Sequence, residues 1–119
     1  MPDQAQPVIS TNLPSPVGPY SPGMVFGNLV FVSGQAGRNP ATGTLADDVS
    51  AQTEQVLKNI ATILEAAGSS LQHVLRCGVF LVDMKEFPKM NEVYATYFKS
   101  DPPARATVEV ARLPRDVKV

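Results

Sequence analysis

Arg105 is the side chain of this sequence best suited to bind one small carboxylate. It follows Pro102-Pro103 after a single residue and begins an alternating run that ends at Ala111. Proline fixes φ and removes a backbone donor, so few conformations are open to the chain before Arg105. The alternation predicts a strand over 105–111. From that position a guanidinium can give a carboxylate two parallel hydrogen bonds; the alternative is an ordinary surface arginine in a loop.

Neutral polar groups in loops provide further candidate ligand contacts. Tyr20, within Gly18-Pro19-Tyr20-Ser21, either lines a pocket with its ring and hydroxyl or fills the space under its own loop with its ring. Ser33 and Gly34 end a predicted strand, where a glycine lets a ligand approach backbone N–H and C=O groups. The alternative for this pair is a plain turn.

Two more candidates come from regular elements. Thr107 is two residues after Arg105, so both side chains point to the same face of the predicted strand. Asn91 is a polar residue in a predicted helix with an apolar stripe, where most such residues face water. Together with Arg105 they complete the candidate set.

The pattern of histidines, cysteines and glycines argues against metal or cofactor chemistry. His73 is the only histidine, and no cysteine or acidic residue lies at ligand spacing from it. A Ser-His-Asp triad would need His73, and nothing in the sequence places a serine beside it. No glycine-rich stretch leads into Lys-Ser or Lys-Thr, which excludes a phosphate-binding loop. We therefore expect no metal, no organic cofactor and an exposed His73.

Composition predicts a single domain of 119 residues with one core, 44% apolar and 18% charged. The formal net charge of −1 gives no electrostatic basis for binding nucleic acid or an anionic membrane. Cys77 is the only cysteine, which fits a reducing compartment, and its apolar neighbours favour a buried hydrophobe over a reactive thiol. No stretch is long enough to span a membrane and no signal peptide is evident, so we expect a cytoplasmic protein.

Apolar periodicity predicts two helices. The first runs from about Asp48 to Ala67, with Asp47 or Asp48 as its N-cap and Gly68 as its C-terminal cap. The second begins near Pro88, because the missing N–H of a proline is harmless in a first turn. Its apolar stripe contains Met90, Val93, Tyr94, Tyr97 and Phe98.

Short β-prone runs surround these helices, and residues 13–23, rich in proline and glycine, are expected to be irregular. The predicted strands are Val8–Ser10, Met24–Phe26, Leu29–Val32, Val74–Val82, Arg105–Ala111 and a last one beginning at Val117-Lys118-Val119. The order β-β-β-α-β-α-β-β predicts an α+β fold, with one mixed sheet and both helices on one face. Because both alternations of two strands are apolar, the other face is expected to pack against further copies of the chain.

Several motifs occur together in the order and spacing of one protein family. The chain resembles the Rid family of reactive intermediate deaminases, also called the YjgF family, from about Ser15 to Val119. The motifs are Gly18-Pro19-Tyr20-Ser21, Val32-Ser33-Gly34-Gln35, Ala66-Ala67-Gly68, Val82-Asp83-Met84 with Phe87, Asn91-Glu92-Val93-Tyr94 with Tyr97-Phe98, and Pro103-Ala104-Arg105 leading to Val110-Ala111-Arg112-Leu113-Pro114.

The resemblance implies a chorismate-mutase-like fold and a homotrimer with ligand clefts between subunits. It implies cofactor-free hydrolysis of 2-imino acids, such as 2-iminopropanoate and 2-iminobutanoate, to 2-oxo acids and ammonia. Such imines arise when PLP-dependent dehydratases act on serine or threonine. In this family the arginine at the position of Arg105 holds the substrate carboxylate. The cleft lining corresponds to Tyr20, Ser33, Gly34, Asn91 and Thr107.

The sequence departs from the family pattern at two places. Thr107 stands where many members have cysteine, which argues against an essential thiol. The resemblance also implies an acidic strand after Val119, whose glutamate positions the hydrolytic water, and the sequence ends before it. Carboxylate binding by Arg105 is therefore considered separately from complete catalysis. The alternatives are an endoribonuclease or translation inhibitor, and a non-catalytic module that binds small carboxylates or acts as a chaperone.

Overall fold

The computed structural model describes residues 3–10, 12–13 and 16–119, which form short strands and two α-helices. Residues 14 and 15 of the predicted irregular segment lie outside the described part. No helix among the described residues has the length and hydropathy needed to cross a membrane. The elements are β1 (Gln6–Pro7), β2 (Gly23–Phe26), β3 (Leu29–Val32), α1 (Val49–Ala66), β4 (Arg76–Leu81), α2 (Phe87–Tyr97) and β5 (Ala104–Glu109).

Helix α1 has the bounds and caps that its sequence predicts. The Asp48 carboxylate accepts a hydrogen bond from the backbone N–H of Ala51 at 2.7 Å, which satisfies one free donor of the first turn. Gly68 follows the helix with a φ of 82°, a left-handed conformation that favours glycine. The buried residues of α1 include Leu57 and Ile63, which face the core.

Strands β2 and β3 form the predicted hairpin around Gly27-Asn28, with Gly27 at a φ of 57°. The first strand was predicted at Val8–Ser10, and this is wrong: β1 lies earlier, at Gln6–Pro7, and pairs with β2. The backbone N–H of Val8 still donates to the Gly23 carbonyl at 2.8 Å. Continued pairing would set the next residue opposite Pro22, which has no N–H, so the ladder ends there.

Strands β4 and β5 are parallel, and helix α2 covers one of their faces. The register places Cys77 opposite Arg105 and Val79 opposite Thr107. The core includes Leu81 of β4, Met90 and Tyr94 of α2, and Leu57 of α1. Helix α1 therefore packs against α2 as well as against the hairpin, where its Ile63 lies close to Gly23.

The described strands form two hydrogen-bonded sheets, one with β1, β2 and β3 and one with β4 and β5. The α+β class is as predicted, but a single continuous sheet is not found. The predicted last strand at 117–119 is likewise not a strand. Its main-chain bond to the end of β4 runs from the Val82 N–H to the Lys118 carbonyl at 3.2 Å, and one such bond does not make a ladder.

Buried amides of α1 hold the long segment between β3 and α1. The Asn59 side chain donates to the carbonyls of Ala36 and Arg38, at 3.3 and 2.9 Å. Gln52 donates to the carbonyl of Ala46 at 2.8 Å and accepts from the backbone N–H of Lys118 at 2.8 Å. Both side chains are almost fully buried, where an amide without hydrogen bonds would be costly. These bonds satisfy them and fix the segment to α1.

The sheet faces turned away from the helices are strongly apolar and exposed. Phe31 is 67% exposed and Phe80 is 51% exposed, each on a strand whose neighbouring residues turn towards the helices. The exposed apolar side chains of the strands are Met24, Phe26, Leu29, Phe31, Phe80 and Val108. An apolar surface of this kind is typical of an interface with another chain.

Gly37, in the segment between β3 and α1, packs closely against α1. A Cβ added there would lie 2.6 Å from the Cα of Gln52, which is backbone and cannot move aside. We expect Gly37→Ala to lower the free energy of unfolding by about 3 kcal/mol, as overpacked cores do. The measurement is urea unfolding. Gly34→Ala is the matched control, since a Cβ at Gly34 meets nothing within 4 Å. Equal stability of the two variants would contradict the packing described.

Candidate functional site

The Arg105 side chain lies between β5 and the inner face of α2, beside two aromatic rings. Its guanidinium carbon is 4.7 Å from the ring centre of Tyr94 and 5.5 Å from that of Phe87. The two aromatic residues are seven positions apart, so they share one face of the helix. A guanidinium at these distances is attracted by the electron-rich faces of the rings.

Two prolines precede Arg105, but Asp101 before them does not have the extended conformation that a following proline favours. Asp101 has a φ of 48°, in the left-handed region that aspartate tolerates better than most residues. Pro102 and Pro103 then limit φ up to the first residue of β5. The left-handed residue Asp101, the two prolines and the pairing of β5 with β4 together determine the position of the Arg105 backbone.

The guanidinium has no carboxylate partner in the part of the chain that the structure describes. The ion pairs there join Glu54 to Lys58, Glu86 to Lys89 and Arg112 to Asp116. A partly buried charge without a partner is costly, and an external anion would remove that cost.

A pocket of about 340 Å³ opens beside this arginine. Its size suits a small molecule, and its walls combine apolar surface with a few polar groups. The lining residues are Asn91, Tyr94, Ala95, Phe98, Pro102, Pro103 and Arg105.

Three buried polar atoms on residues around this arginine have no hydrogen-bond partner among the described residues. They are Asn91 Oδ1, the Tyr94 hydroxyl and Thr107 Oγ1. A buried polar atom without a partner costs about 1–3 kcal/mol. Asn91 therefore does not simply face water, and it lines the pocket together with Arg105. Thr107 lies two residues after Arg105 on β5 and is not among the residues that line the pocket.

Tyr20 lies in a different depression. It lines a second pocket of about 340 Å³ with residues of the N-terminal segment, and this pocket shares no residue with the first. Its hydroxyl accepts a hydrogen bond from the Val17 N–H at 3.3 Å, and the residue is 45% exposed. Tyr20 therefore lines a pocket while its hydroxyl is bonded within its own loop, and its contact with a ligand stays a prediction.

Ser33 and Gly34 lie at the end of β3, apart from the lining of both pockets. The Ser33 hydroxyl donates to the Ser21 carbonyl at 2.6 Å, so its proton is already engaged and only its lone pairs remain for a ligand. Gly34 is exposed, with open space at its Cβ position. Within one chain the six predicted residues thus fall into a group around Arg105 and a group at the hairpin end.

His73 is exposed, as expected, in a short 3₁₀ turn before β4. The expectation that no serine lies beside it was wrong, because Ser70 Oγ is 3.0 Å from His73 Nδ1. The turn from Ser70 to His73 brings the two side chains together, a contact that sequence spacing alone did not suggest. Over the described ranges, no three His, Cys, Asp or Glu side chains cluster as a metal site would require.

The comparison with known proteins identifies the family. The family model described as endoribonuclease L-PSP matches residues 10–119. A RutC family protein of Pyrococcus horikoshii is 50% identical over 113 residues, covering 94% of this chain and 90% of that protein. A 2-iminobutanoate/2-iminopropanoate deaminase of Salmonella typhimurium is 42% identical over 115 residues, with the same two coverages, 94% and 90%.

A solved structure shows the same fold. The crystal structure of Escherichia coli TdcF with bound serine matches this fold with a TM-score of 0.91 at 38% identity, covering 95% of this chain and 91% of that one. This chain belongs to the Rid family. The relatives of this Rid protein include some with only a family name and some named as deaminases. Membership therefore establishes the family and its α+β fold, while the individual activity needs its own argument.

Sequence reasoning missed two residues of the site. Phe87 and Tyr94 were assigned to a family motif and an apolar stripe, although their rings flank the guanidinium. The signal was present, since aromatic residues four before and three after Asn91 share its face of α2. Only knowledge of which strand lies beneath the helix could show what that face contacts.

The unpartnered hydroxyl of Thr107 leads to a stability prediction. We expect Thr107→Val to raise the free energy of unfolding of the ligand-free Rid protein by about 1 kcal/mol, because it removes a buried hydroxyl that no described residue partners. Urea unfolding measures the change. Thr53→Val is the control: its hydroxyl already donates to the Val49 carbonyl at 2.7 Å, so no gain is expected. A Thr107 variant no more stable than the control would show that the hydroxyl has a partner.

Proposed function

We propose that this Rid protein hydrolyses reactive 2-imino acids, such as 2-iminopropanoate and 2-iminobutanoate, to 2-oxo acids and ammonia. The observation that supports this most is the Arg105 guanidinium, which is partly buried beside a pocket and has no carboxylate partner among the described residues. Two relatives add weight: one is named as a deaminase of these imines, and the other is a solved structure with bound serine, a small carboxylate.

In the proposed mechanism Arg105 binds the carboxylate through two charge-assisted hydrogen bonds. This fixes the imine carbon where water can reach it, which is chiefly an effect of proximity. Water adds to that carbon and a proton passes to the nitrogen. The added hydroxyl then gives its proton to the same nitrogen and its oxygen forms the C=O bond as the C–N bond breaks, so ammonia leaves and a 2-oxo acid remains. Imines hydrolyse unaided in water, so the acceleration required is modest by enzyme standards.

Asn91 and Thr107 are proposed to contact the substrate beside Arg105. Their buried oxygens lack partners within the part of the chain that the structure describes, and both can accept a hydrogen bond from the imine or enamine nitrogen. Tyr20, Ser33 and the Gly34 backbone are proposed to form the opposite wall and to stabilise the tetrahedral adduct. The proposed reaction needs no cofactor, and we propose that it takes place in the cytoplasm, where the single cysteine would remain reduced.

The opposite wall is proposed to come from a neighbouring subunit of a homotrimer. Within one chain, Tyr20 and Arg105 line separate pockets, so neither group makes a complete cleft by itself. The exposed apolar sheet faces, with Phe31 and Phe80, would be covered by such an assembly.

An endoribonuclease is the main alternative, since the matching family model bears that description. Ribonucleic acid binding depends on a basic surface with aromatic residues on which bases stack. The net charge of −1 and the apolar character of the exposed sheet faces do not favour it. The same purified protein should therefore leave a single-stranded RNA intact.

Arg105→Ala tests the proposed activity. We expect it to abolish the accelerated decay of 2-iminobutanoate generated by a threonine dehydratase, measured by trapping the remaining imine with semicarbazide. Arg105→Lys should lose at least about tenfold, because an ammonium cannot give two parallel hydrogen bonds. Arg112→Ala is the control, since Arg112 is an exposed arginine paired with Asp116. Wild-type decay rates in the Arg105 variants would refute the assignment.

Phe31→Asp tests the proposed trimer. A charge on this apolar face should dissociate the assembly, so that sedimentation changes from three chains to one and imine hydrolysis is lost with it. Glu65→Lys, on the exposed surface of α1, also alters charge and should leave the mass at three chains. A wild-type protein that sediments as one chain would contradict the proposal.

A further inference from the structure

Tyr94 is a buried residue whose ring lies closer to Arg105 than that of Phe87. It is 8% exposed, and its ring centre lies 4.7 Å from the guanidinium carbon. On another side it packs against Phe98, with ring centres 4.7 Å apart and planes tilted by 42°. The Tyr94 ring is therefore packed in the hydrophobic core and also lies beside the arginine.

The hydroxyl of Tyr94 lies in a confined polar environment. It is near the Cys77 thiol and the Arg105 guanidinium, yet its geometry gives it no hydrogen-bond partner among the described residues. Burial and the nearby thiol raise the pKa of Tyr94, and the guanidinium opposes them only in part. The phenol therefore stays neutral at physiological pH, and the ring presents an uncharged aromatic face to the arginine.

We propose that Tyr94 is a positioning residue for Arg105: its ring fixes the plane of the guanidinium so that one N–H edge faces the pocket. The proposal rests on the proposed function, because it takes a carboxylate as the ligand of that edge. Phe87, at 5.5 Å, limits the same side chain from a second position on α2. Tyr94 acts through Arg105, and its own contact with substrate is not required.

The physical reason is the freedom of an arginine side chain. A free arginine loses much rotamer entropy when a carboxylate fixes it, which weakens binding. A guanidinium already held against a ring has lost part of that freedom before the ligand arrives. In this proposal the donors at its edge then face the pocket, which suits bidentate binding.

The test is calorimetric titration with pyruvate, a stable 2-oxo acid, across three variants of the full chain. Tyr94→Leu removes the ring and should raise the Kd for pyruvate about tenfold. Tyr94→Phe keeps the ring and should stay within about twofold of wild type. In the imine assay the Leu variant should show a raised KM with kcat little changed, since ground state and transition state lose the same contact.

Met90→Ala is the matched control for a general loss of packing. Met90 is 1% exposed in the same core cluster and on the same helix, so its truncation destabilises the fold without removing a ring beside Arg105. Pyruvate affinity should be unchanged in this variant at a temperature where every variant is folded. If Tyr94→Leu does not fold, Phe87→Leu replaces it, with an expected loss of about threefold.

A second readout separates this inference from the proposed activity. The Arg105 Nε–H proton of the free protein should show a ring-current shift in its NMR spectrum, retained in Tyr94→Phe and lost in Tyr94→Leu. An unchanged shift in the Leu variant would overturn the inference, as would unchanged pyruvate affinity or an equal loss in Met90→Ala. If Tyr94→Phe bound pyruvate as weakly as Tyr94→Leu, the hydroxyl and not the ring would be responsible, and the inference would be overturned. A wild-type protein with the shift but without imine hydrolysis would instead refute the proposed function alone.

Discussion

The contact of the Arg105 guanidinium with the aromatic face of α2 is the constraint on which the rest of the site depends. A partly buried cation without an internal carboxylate survives in a folded protein only if something compensates for lost hydration. Here two rings supply part of that compensation, at 4.7 and 5.5 Å, and no carboxylate of the described residues pairs with the guanidinium. The structure accordingly gives up some stability in the ligand-free state to keep one charge available.

The fold holds this contact by parallel pairing and helix packing. Pairing of β4 with β5 sets Cys77 opposite Arg105, and α2 then lies over that face through Met90 and Tyr94. Helix α1 joins this unit to the hairpin, and its buried amides Gln52 and Asn59 fix the connecting segment by hydrogen bonds. The same helices thus support both groups of candidate site residues, although the groups remain apart within one chain.

Local chemistry determined what could be predicted from the sequence. The caps of α1 and the Gly27 hairpin depend on residues next to each other in the chain, and both were anticipated. The first strand was misplaced because its end depends on Pro22, a partner from a distant segment. The contact between Ser70 and His73 and the ring contacts of Arg105 were missed for a related reason. They depend on a turn geometry and on which strand lies beneath α2, which spacing alone does not specify.

A crystal structure of the protein with pyruvate tests the central claim most directly. The account predicts that the pyruvate carboxylate lies against the N–H edge of Arg105, within hydrogen-bonding distance of two of its nitrogens, with the guanidinium still beside the Tyr94 ring. Pyruvate bound elsewhere, or an Arg105 side chain engaged in an ion pair with a carboxylate of the protein, would contradict it.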